Sequence, residues 1–373
     1  MSGDMTGAVI VAARRSAVVP RGGALSRLQI HDLAAPVLAD TLRDAGLAPD
    51  EVGELILANA LGGGGNPARL VSLAGGLPER VAGLSLDRQC CGGMDAVLLA
   101  DALIRGGLHE IVVAGGAESY SRRPLRLRTD PDGGPPVAYD RPPFSPWPER
   151  DPEMVEAAEA LALALAIPRA DQDAWTVESH ARALAARDRL RAEITPLSGQ
   201  DRDAFARAIS LRTCARAPVL CGSVTAANTA VAADGAGLCL LVSGARARRL
   251  GLLGLRVLHG VTLGADPALP GLAPVPAIRA VLAETGLAPD AFAAIEVMEA
   301  FAVQAIACVR ETGLPPERVN PGGGALARGH PIGASGAINV VRLFHELRAP
   351  GQLGLCAIAA AGGLGTALVV ERV

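Results

Sequence analysis

The sequence contains no lysine, so all 35 of its basic residues are arginines, and aromatic residues make up only 2% of the chain. A formal charge of −3 over 373 residues is too small to indicate nonspecific binding to nucleic acid. No apolar run is long enough to cross a membrane, and the first residues lack the pattern of a secretory leader. We therefore expect a cytoplasmic protein that binds neither nucleic acid nor membrane.

Cysteine is present but not in the patterns that stabilise small folds or bind metals. The seven cysteines are odd in number and include no C-x-x-C pair, and no Cys/His spacing is typical of a zinc site. This pattern therefore predicts no disulfide framework and no metal site. We also expect no tightly bound cofactor.

The sequence contains pairs of similar segments that lie far apart along the chain. Residues 42–61 read L-R-D-A-G-L-A-P-D-E-V-G-E-L-I-L-A-N-A-L, and residues 282–301 read L-A-E-T-G-L-A-P-D-A-F-A-A-I-E-V-M-E-A-F. Each pattern predicts a helix that stops at G-L-A-P-D, followed by a buried strand. A second pair of segments, 111–119 and 357–365, consists of short apolar strands that run into glycines. Two similar α/β halves are therefore predicted.

The middle of the chain has a different composition. Residues 122–152 are rich in proline and arginine, which predicts an extended surface loop, and helical patterns follow from 153 to 191. We predict a first half at 1–119, an inserted substrate-covering segment at 120–248, and a second half at 249–373. Alternating strand and helix patterns in both halves indicate sheets that are covered by helices on each side.

Two segments carry the residues of an acyl-transfer site. Residues 320–336 read N-P-G-G-G-A-L-A-R-G-H-P-I-G-A-S-G, in which His330 is the only group that exchanges protons near neutral pH. Residues 87–94 read D-R-Q-C-C-G-G-M and place a cysteine just before glycines and an apolar helical run. A cysteine and a histidine together form a nucleophile and its base. The structural alternative is that the glycines make turns around a packed histidine.

These and other motifs resemble the thiolase family over essentially the whole chain. A-V-I-V-A-A-R-R-S (8–16), G-G-G-N-P-A-R (63–69), D-R-Q-C, V-A-G-G-A-E-S (113–119), G-S-V-T-A-A-N (222–228) and G-H-P-I-G-A-S-G carry the resemblance. It implies a five-layer αβαβα fold of two duplicated domains with an inserted loop domain. It also implies a homodimer or homotetramer, with acyl-CoA or an acyl-carrier thioester as substrate.

The resemblance assigns the nucleophile to Cys90 and its activation to His330. A helix N-terminus would stabilise a Cys90 thiolate, and a nearby imidazole could take the thiol proton. Cys91 is the alternative nucleophile, but only one of two successive residues can face His330.

Three positions depart from the family pattern. Met298 replaces the usual Asn of the N-E-A-F motif, and a thioether cannot donate a hydrogen bond. Ala359 replaces the second, proton-transferring Cys, and Cys356 would face the other way on a strand. Glu153 stands where the family has a loop-domain His and is the candidate replacement base, although it could equally be a surface residue in a first helical turn.

The resemblance also assigns six residues to substrate binding, of which the four that are not glycine could equally be simple core. They are Met154, Ala230, Ala300, Phe301, Gly329 and Gly363.

We expect an acyltransferase that forms an acyl-thioester on Cys90 but performs standard thiolysis poorly. A catalytically lapsed homologue that serves as a subunit or CoA-binding module, and a thioester hydrolase, are the alternatives.

Overall fold

The computed structural model describes residues 7–373 of the chain. The strands within these residues are β1 (Ala8–Ser16), β2 (Val19–Pro20), β3 (Glu54–Ala58), β4 (Leu84–Leu86), β5 (Ile111–Ser119), β6 (Arg126–Arg128), β7 (Val137–Tyr139), β8 (Ile194–Thr195), β9 (Val219–Cys221), β10 (Val224–Thr225), β11 (Ala233–Ser243), β12 (Leu255–Gly264), β13 (Phe292–Val297), β14 (Leu353–Ala360) and β15 (Leu364–Arg372). The helices are α1 (Ile30–Ala45), α2 (Pro67–Ala74), α3 (Gly92–Arg105), α4 (Met154–Ala164), α5 (Arg169–Ala185), α6 (Arg187–Leu190), α7 (Leu211–Ala215), α8 (Gly244–Leu250), α9 (Pro274–Thr285), α10 (Ala302–Thr312), α11 (Ala325–Arg328) and α12 (Ile332–Glu346).

The predicted repeat begins with the same local chemistry in each half. Helix α1 ends at Gly46 with φ 64°, and helix α9 ends at Gly286 with φ 65°. Glycine adopts this left-handed conformation without a steric penalty, so it ends both helices. A single 3₁₀ turn that starts at Pro49 or Pro289 then leads into β3 or β13. The helix, stop and strand predicted from the G-L-A-P-D segments are confirmed.

The two halves have the same strand connectivity. In the first, β3 is parallel to β5, and β5, β11 and β1 follow in antiparallel order. In the second, β13 is parallel to β14, and β14, β15 and β12 follow in antiparallel order. A short antiparallel pairing of β1 with β12 joins the two half-sheets into one mixed sheet.

Helices cover both half-sheets and also fill the space between them. Helix α1 packs on the outer face of the first half-sheet, α3 and α12 lie between the two, and α9 packs on the outer face of the second. Three apolar clusters fill the spaces between the layers, represented by Leu38 with Val113, Val97 with Val340, and Ile278 with Val369. The order of layers is therefore αβαβα, as the resemblance implied.

The insertion lies between β5 and β11 and holds the hairpin β6–β7 and helices α4 to α7. Residues 122–152 are mostly exposed, as predicted, but they include the paired strands β6 and β7, which the prediction of an extended loop did not contain. The boundary predicted at residue 248 is too late, because β11 pairs along its length with both β1 and β5 and belongs to the first half. Its small and apolar residues have no period that could have revealed this partner.

None of the helices in the described part of the chain has the length and apolar character that a membrane span requires.

Candidate active site

Cys90 and His330 occupy equivalent places in the two halves. Cys90 lies in a 3₁₀ turn (Gln89–Cys91) directly before α3, the helix that precedes β5. His330 lies directly before α12, the helix that precedes β14. Because α3 and α12 pack against each other between the half-sheets, their N-terminal ends meet. The Sγ atom of Cys90 is 3.1 Å from Nε2 of His330, although 240 positions separate them.

Two glycines allow this close approach of the helices. A Cβ atom on Gly93 would lie 2.6 Å from the backbone nitrogen of Ala337. A Cβ atom on Gly336 would lie 2.6 Å from the backbone nitrogen of Met94 and 3.3 Å from the carbonyl oxygen of Cys90. Any side chain at either position would push the two helices apart, so glycine sets the distance between nucleophile and base.

Ser335 orients the imidazole of His330. Its Oγ atom is 2.7 Å from Nδ1 of His330 and 2.9 Å from the carbonyl oxygen of Pro331. The hydroxyl has one proton, which it donates to the carbonyl, so its oxygen accepts from a protonated Nδ1. This tautomer directs the lone pair of Nε2 toward Cys90. Ser335 lies within the glycine-rich motif at 320–336, but its role was not predicted from the sequence.

Burial keeps both members of the pair neutral. Desolvation raises the pKa of the Cys90 thiol to about 12, with a smaller contribution from the Glu118 and Asp87 carboxylates, while the backbone N–H of Cys90 opposes the shift. Desolvation and the Arg328 charge lower the pKa of His330 to about 4. The expected thiolate at a helix N-terminus is therefore not the resting form, because the cost of burying a charge is larger than the stabilisation from a helix end.

Cys91 does not share this environment. Its Sγ atom is buried and donates to the carbonyl oxygen of Ile358 at 3.6 Å, on the far side of the turn from His330. Burial also raises the pKa of this thiol. Of the two adjacent cysteines, only Cys90 faces the imidazole.

The Cys90 and His330 pair lines a cavity of about 550 Å³ between the two halves and the insertion. Most of its wall is apolar, and helix α4 of the insertion forms one side. The predicted binding residues that line it are Met154, Ala230, Ala300 and Phe301. A mainly apolar cavity with few polar groups is typical of a small-molecule site.

Gly329 and Gly363 are not among the residues that line the cavity. Gly329 has φ 110°, and a Cβ atom there would lie 2.9 Å from Cβ of Ala233. Gly363 has φ 76°, and a Cβ atom there would lie 2.6 Å from the carbonyl oxygen of Ala265. The structure gives both glycines a role in close backbone packing.

The structure does not bring Glu153 to the Cys90 and His330 pair. Glu153 is the residue before α4, its side chain is 61% exposed, and its carboxylate lies 3.7 Å from Nε of Arg141. It is not part of the cavity wall, whereas the next residue, Met154, is. A replacement base at this position would need a rearrangement of the start of α4.

Ala359 and Met298, the two other positions that differ from the family pattern, also leave the site without a proton-transfer group. Ala359 lines the cavity beside Cys90 and His330. Met298 is buried in the layer between the half-sheets and is not part of the wall. Cys356 is also buried in that layer, on the opposite face of β14 from Ala359, as its odd spacing predicted.

Glu118 is a functional candidate that lies in the motif at 113–119 and was not predicted from the sequence. It is fully buried at the end of β5, and desolvation raises the pKa of its carboxyl group to about 7. Its oxygens accept from the backbone N–H groups of Ala60, Leu61 and Gly333 and from the side chain of Asn59. It therefore fixes the loop after β3 to the first turn of α12, close to His330.

A buried thiol beside a correctly oriented neutral imidazole, in a duplicated αβαβα fold, defines a class of enzymes that transfer acyl groups through a cysteine. The chain belongs to the thiolase family: residues 8–245 match the thiolase N-terminal domain and residues 255–372 match the thiolase C-terminal domain. It is an acyltransferase of that family.

Relatives in sequence and structure cover the whole chain. It is 40% identical to the putative acetyl-CoA C-acetyltransferase YhfS of Bacillus subtilis over 375 residues, which covers 98% of this chain and 99% of that protein. It is 36% identical to an acetyl-CoA acetyltransferase of Cupriavidus necator over 392 residues, covering 99% and 100%. The crystal structure of the Bacillus anthracis acetyl-CoA acetyltransferase matches with a TM-score of 0.92 and 34% identity, covering 100% of both chains. The Acat5 thiolase from Ascaris suum, solved in complex with coenzyme A, also has a TM-score of 0.92, with 29% identity, covering 98% of this chain and 100% of that one.

Proposed function

We propose that Cys90 takes an acyl group from an acyl-CoA or acyl-carrier thioester and transfers it to a second substrate. The observation that carries this proposal is the 3.1 Å contact between Cys90 Sγ and His330 Nε2, at the wall of a cavity of about 550 Å³. The crystal structure of the Ascaris suum relative with coenzyme A supports CoA thioesters as the donor class.

The first half-reaction follows from the neutral resting pair. Nε2 of His330 takes the thiol proton while Sγ of Cys90 attacks the carbonyl carbon of the thioester. The bond between that carbon and the donor sulfur then breaks, and the leaving thiolate takes the proton from His330. The products are acyl-Cys90 and the free donor thiol. General-base assistance matters here because the pKa of the thiol, at about 12, leaves little thiolate at neutral pH.

The second half-reaction needs an acceptor that His330 alone can activate. An amine or alcohol acceptor loses a proton to Nε2 and attacks the acyl carbon, the bond from that carbon to Sγ breaks, and Nε2 returns the proton to Sγ, which restores the Cys90 thiol. A malonyl acceptor instead releases CO₂ to form its carbon nucleophile, and the displaced Cys90 thiolate then takes a proton from solvent. Forming a carbon nucleophile from a second CoA ester requires another proton-transfer group, and Ala359 and Met298 do not supply one. Losing a general acid–base costs about 10²- to 10⁴-fold in rate. We therefore propose poor standard thiolysis, with an amine, an alcohol or a decarboxylating malonyl unit as acceptor.

Intact-protein mass spectrometry with a panel of acyl-CoA and acyl-carrier thioesters tests the acyl-enzyme directly. We expect an added acyl mass in the wild type and in the matched control Cys91→Ala, and none in Cys90→Ala. His330→Ala should slow acylation by about 10²-fold or more. If no donor modifies the wild type, the proposal fails, and the lapsed subunit becomes the better explanation.

A further inference from the structure

Arg328 is a buried arginine two residues before His330. It is the last residue of α11, and only 5% of it is exposed. Its guanidinium donates one hydrogen bond to the carbonyl oxygen of Gly323 at 3.0 Å and another to Oδ1 of Asn339 at 2.8 Å. Both acceptors are neutral, so these bonds do not offset the positive charge.

The buried carboxylates of the same region do not pair with Arg328. Glu193 lies 2.6 Å from Nη1 of Arg342, and Glu296 lies 3.8 Å from its Nε. Neither oxygen of Glu296 has a hydrogen-bond partner among the described residues. Burial lowers the pKa of Arg328 despite the attraction of Glu296, yet an arginine side chain stays charged in proteins. A buried cation without an ion pair is costly, which indicates that this one has a function.

The two hydrogen bonds of the guanidinium connect segments on either side of His330. Gly323 lies in the loop before α11, and Asn339 is a fully buried residue of α12, the helix that begins just after the histidine. The backbone N–H of His330 donates to the carbonyl oxygen of Val231 at 2.8 Å. The guanidinium therefore acts as a brace that fixes the short segment from which the imidazole reaches Cys90.

The charge of Arg328 acts on the base and not on the nucleophile. After desolvation, it is the cause that lowers the pKa of His330, because a nearby cation disfavours the imidazolium. The pKa of the Cys90 thiol is raised by burial and by two carboxylates. The titratable or charged groups on the elements around His330, apart from Arg328, are Cys90 and Asp87 near the start of α3, Glu118 on β5, Asp234 on β11 and Arg126 at the cavity wall.

We propose that Arg328 is a positioning residue whose hydrogen bonds hold His330 against Cys90 and whose charge keeps the imidazole neutral in acidic solution. The inference rests on the proposed role of His330 as the base and adds a control of that base. A base acts only while it is deprotonated, and repulsion by Arg328 keeps His330 deprotonated to lower pH. Acylation of Cys90 should therefore continue at a lower pH than it would without this charge.

Four variants separate the charge from the brace. Arg328→Met and Arg328→Gln remove the charge, whereas Arg328→Lys and Asn339→Leu keep it and weaken the brace. Arg328→Gln retains a hydrogen-bond donor, so it tests the charge even if Arg328→Met does not fold. Circular dichroism and urea denaturation identify any variant that is misfolded.

Deuterium exchange at C2 of the imidazole, measured by mass spectrometry, reports the protonation of His330. The tryptic peptide that contains His330 has no other histidine. The exchange midpoint should lie near pH 4 in the wild type, in Arg328→Lys and in Asn339→Leu. It should rise by roughly one unit in Arg328→Met and Arg328→Gln. An unchanged midpoint in the neutral variants, or an equal shift in all four, would overturn the role of the charge.

Acylation of Cys90 by butyryl-CoA between about pH 4 and pH 8 tests the consequence for the reaction. As the pH falls, the two neutral variants should lose their rate before the wild type does. Asn339→Leu should be slower by roughly tenfold or more at every pH, because a small displacement of a reacting group has a large effect on rate. A wild-type rate in Asn339→Leu would overturn the brace.

The exchange measurement needs no acyl donor, so it separates this inference from the proposed function. If the wild type forms no acyl-enzyme but its exchange midpoint rises when the charge is removed, the proposed function fails and the effect of Arg328 on His330 is supported.

Discussion

At the level of single residues, the Cys90 and His330 pair combines close contact with an absence of charge. The 3.1 Å distance is suitable for proton transfer, yet burial keeps the thiol protonated and the imidazole neutral. Charge separates only when Sγ attacks a bound carbonyl group. The orienting contact from Ser335 holds His330 ready to receive the proton.

The pH dependence of Cys90 alkylation tests this neutral pair. Burial raises the pKa of the thiol to about 12, so the thiolate fraction should increase about tenfold for each pH unit from 7 to 9. The rate of modification by iodoacetamide should rise in parallel and show no plateau. Mass spectrometry of the Cys90 peptide, with Cys90→Ala as the background, measures it. A rate that stays constant over this range would indicate a thiolate and imidazolium pair instead.

Restoring a thiol at position 359 tests the missing acid–base group. Ala359 lines the cavity with Cys90 and His330, so Ala359→Cys should place a second thiol at the site. We expect thiolysis of acetoacetyl-CoA to increase by about tenfold or more, because a general acid–base contributes about 10²- to 10⁴-fold when well placed. Ala357→Cys is the matched control on the same strand, since Ala357 packs in the outer layer of the second half-sheet and does not line the cavity. An equal response from both variants would contradict this role.

At the level of elements, the duplication itself builds the site. Helices α3 and α12 are equivalent in the two halves, and each brings one catalytic residue to its N-terminal end. Their separation depends on the contact of Gly93 and Gly336 with the facing backbone. Backbone atoms cannot move aside as a flexible side chain can, so this contact tolerates no added atom.

Gly336→Ala should therefore disturb both stability and catalysis. The new Cβ would lie 2.6 Å from the backbone nitrogen of Met94, and overpacking of this kind costs about 1–3 kcal/mol in the free energy of unfolding. Urea denaturation should show the loss, and acylation of Cys90 should slow as His330 moves away. Gly264→Ala is the control, because no atom lies within 4 Å of its added Cβ. Similar losses of stability and acylation rate in both variants would show that the contact between α3 and α12 has no particular importance for either.

At the level of the whole molecule, the outer edge of the first half-sheet carries exposed apolar side chains. Strand β4 pairs with β3 and forms the edge of the first half-sheet in the part of the chain that the structure describes. Leu84 on β4 is 43% exposed, and Leu70 and Leu73 on the neighbouring helix α2 are also exposed. An unpaired edge beside apolar side chains is a suitable surface for a second strand of the same kind.

We predict that two copies of the chain associate through this edge, in agreement with the homodimer or homotetramer that the resemblance implies. Leu84→Glu should shift the protein toward smaller species in light scattering coupled to size-exclusion chromatography, because it buries a charge in an apolar contact. Leu253→Glu should have no such effect, since Leu253 is 67% exposed but lies outside β4 and α2. A wild type that is already monomeric would contradict the prediction.

Features that depend on local chemistry could be predicted from the sequence. The G-L-A-P-D segments ended two helices because glycine takes a left-handed conformation and proline starts a new turn. The repeat therefore predicted two similar halves. The motif residues Cys90 and His330 were identified because a thiol and an imidazole are the groups that acyl transfer requires. The alternation along β14 correctly set Cys356 apart from Ala359.

Features that depend on partners far away in the chain became visible only in the folded protein. It placed β11 in the first half, left Glu153 at the surface, and selected Cys90 over Cys91 by bringing His330 within 3.1 Å across 240 positions. It also kept the thiol protonated, against the expectation from a helix N-terminus. The physical reason is that burial and hydrogen-bond partners come from segments far apart in the chain, and these set a pKa and an orientation that no local pattern contains.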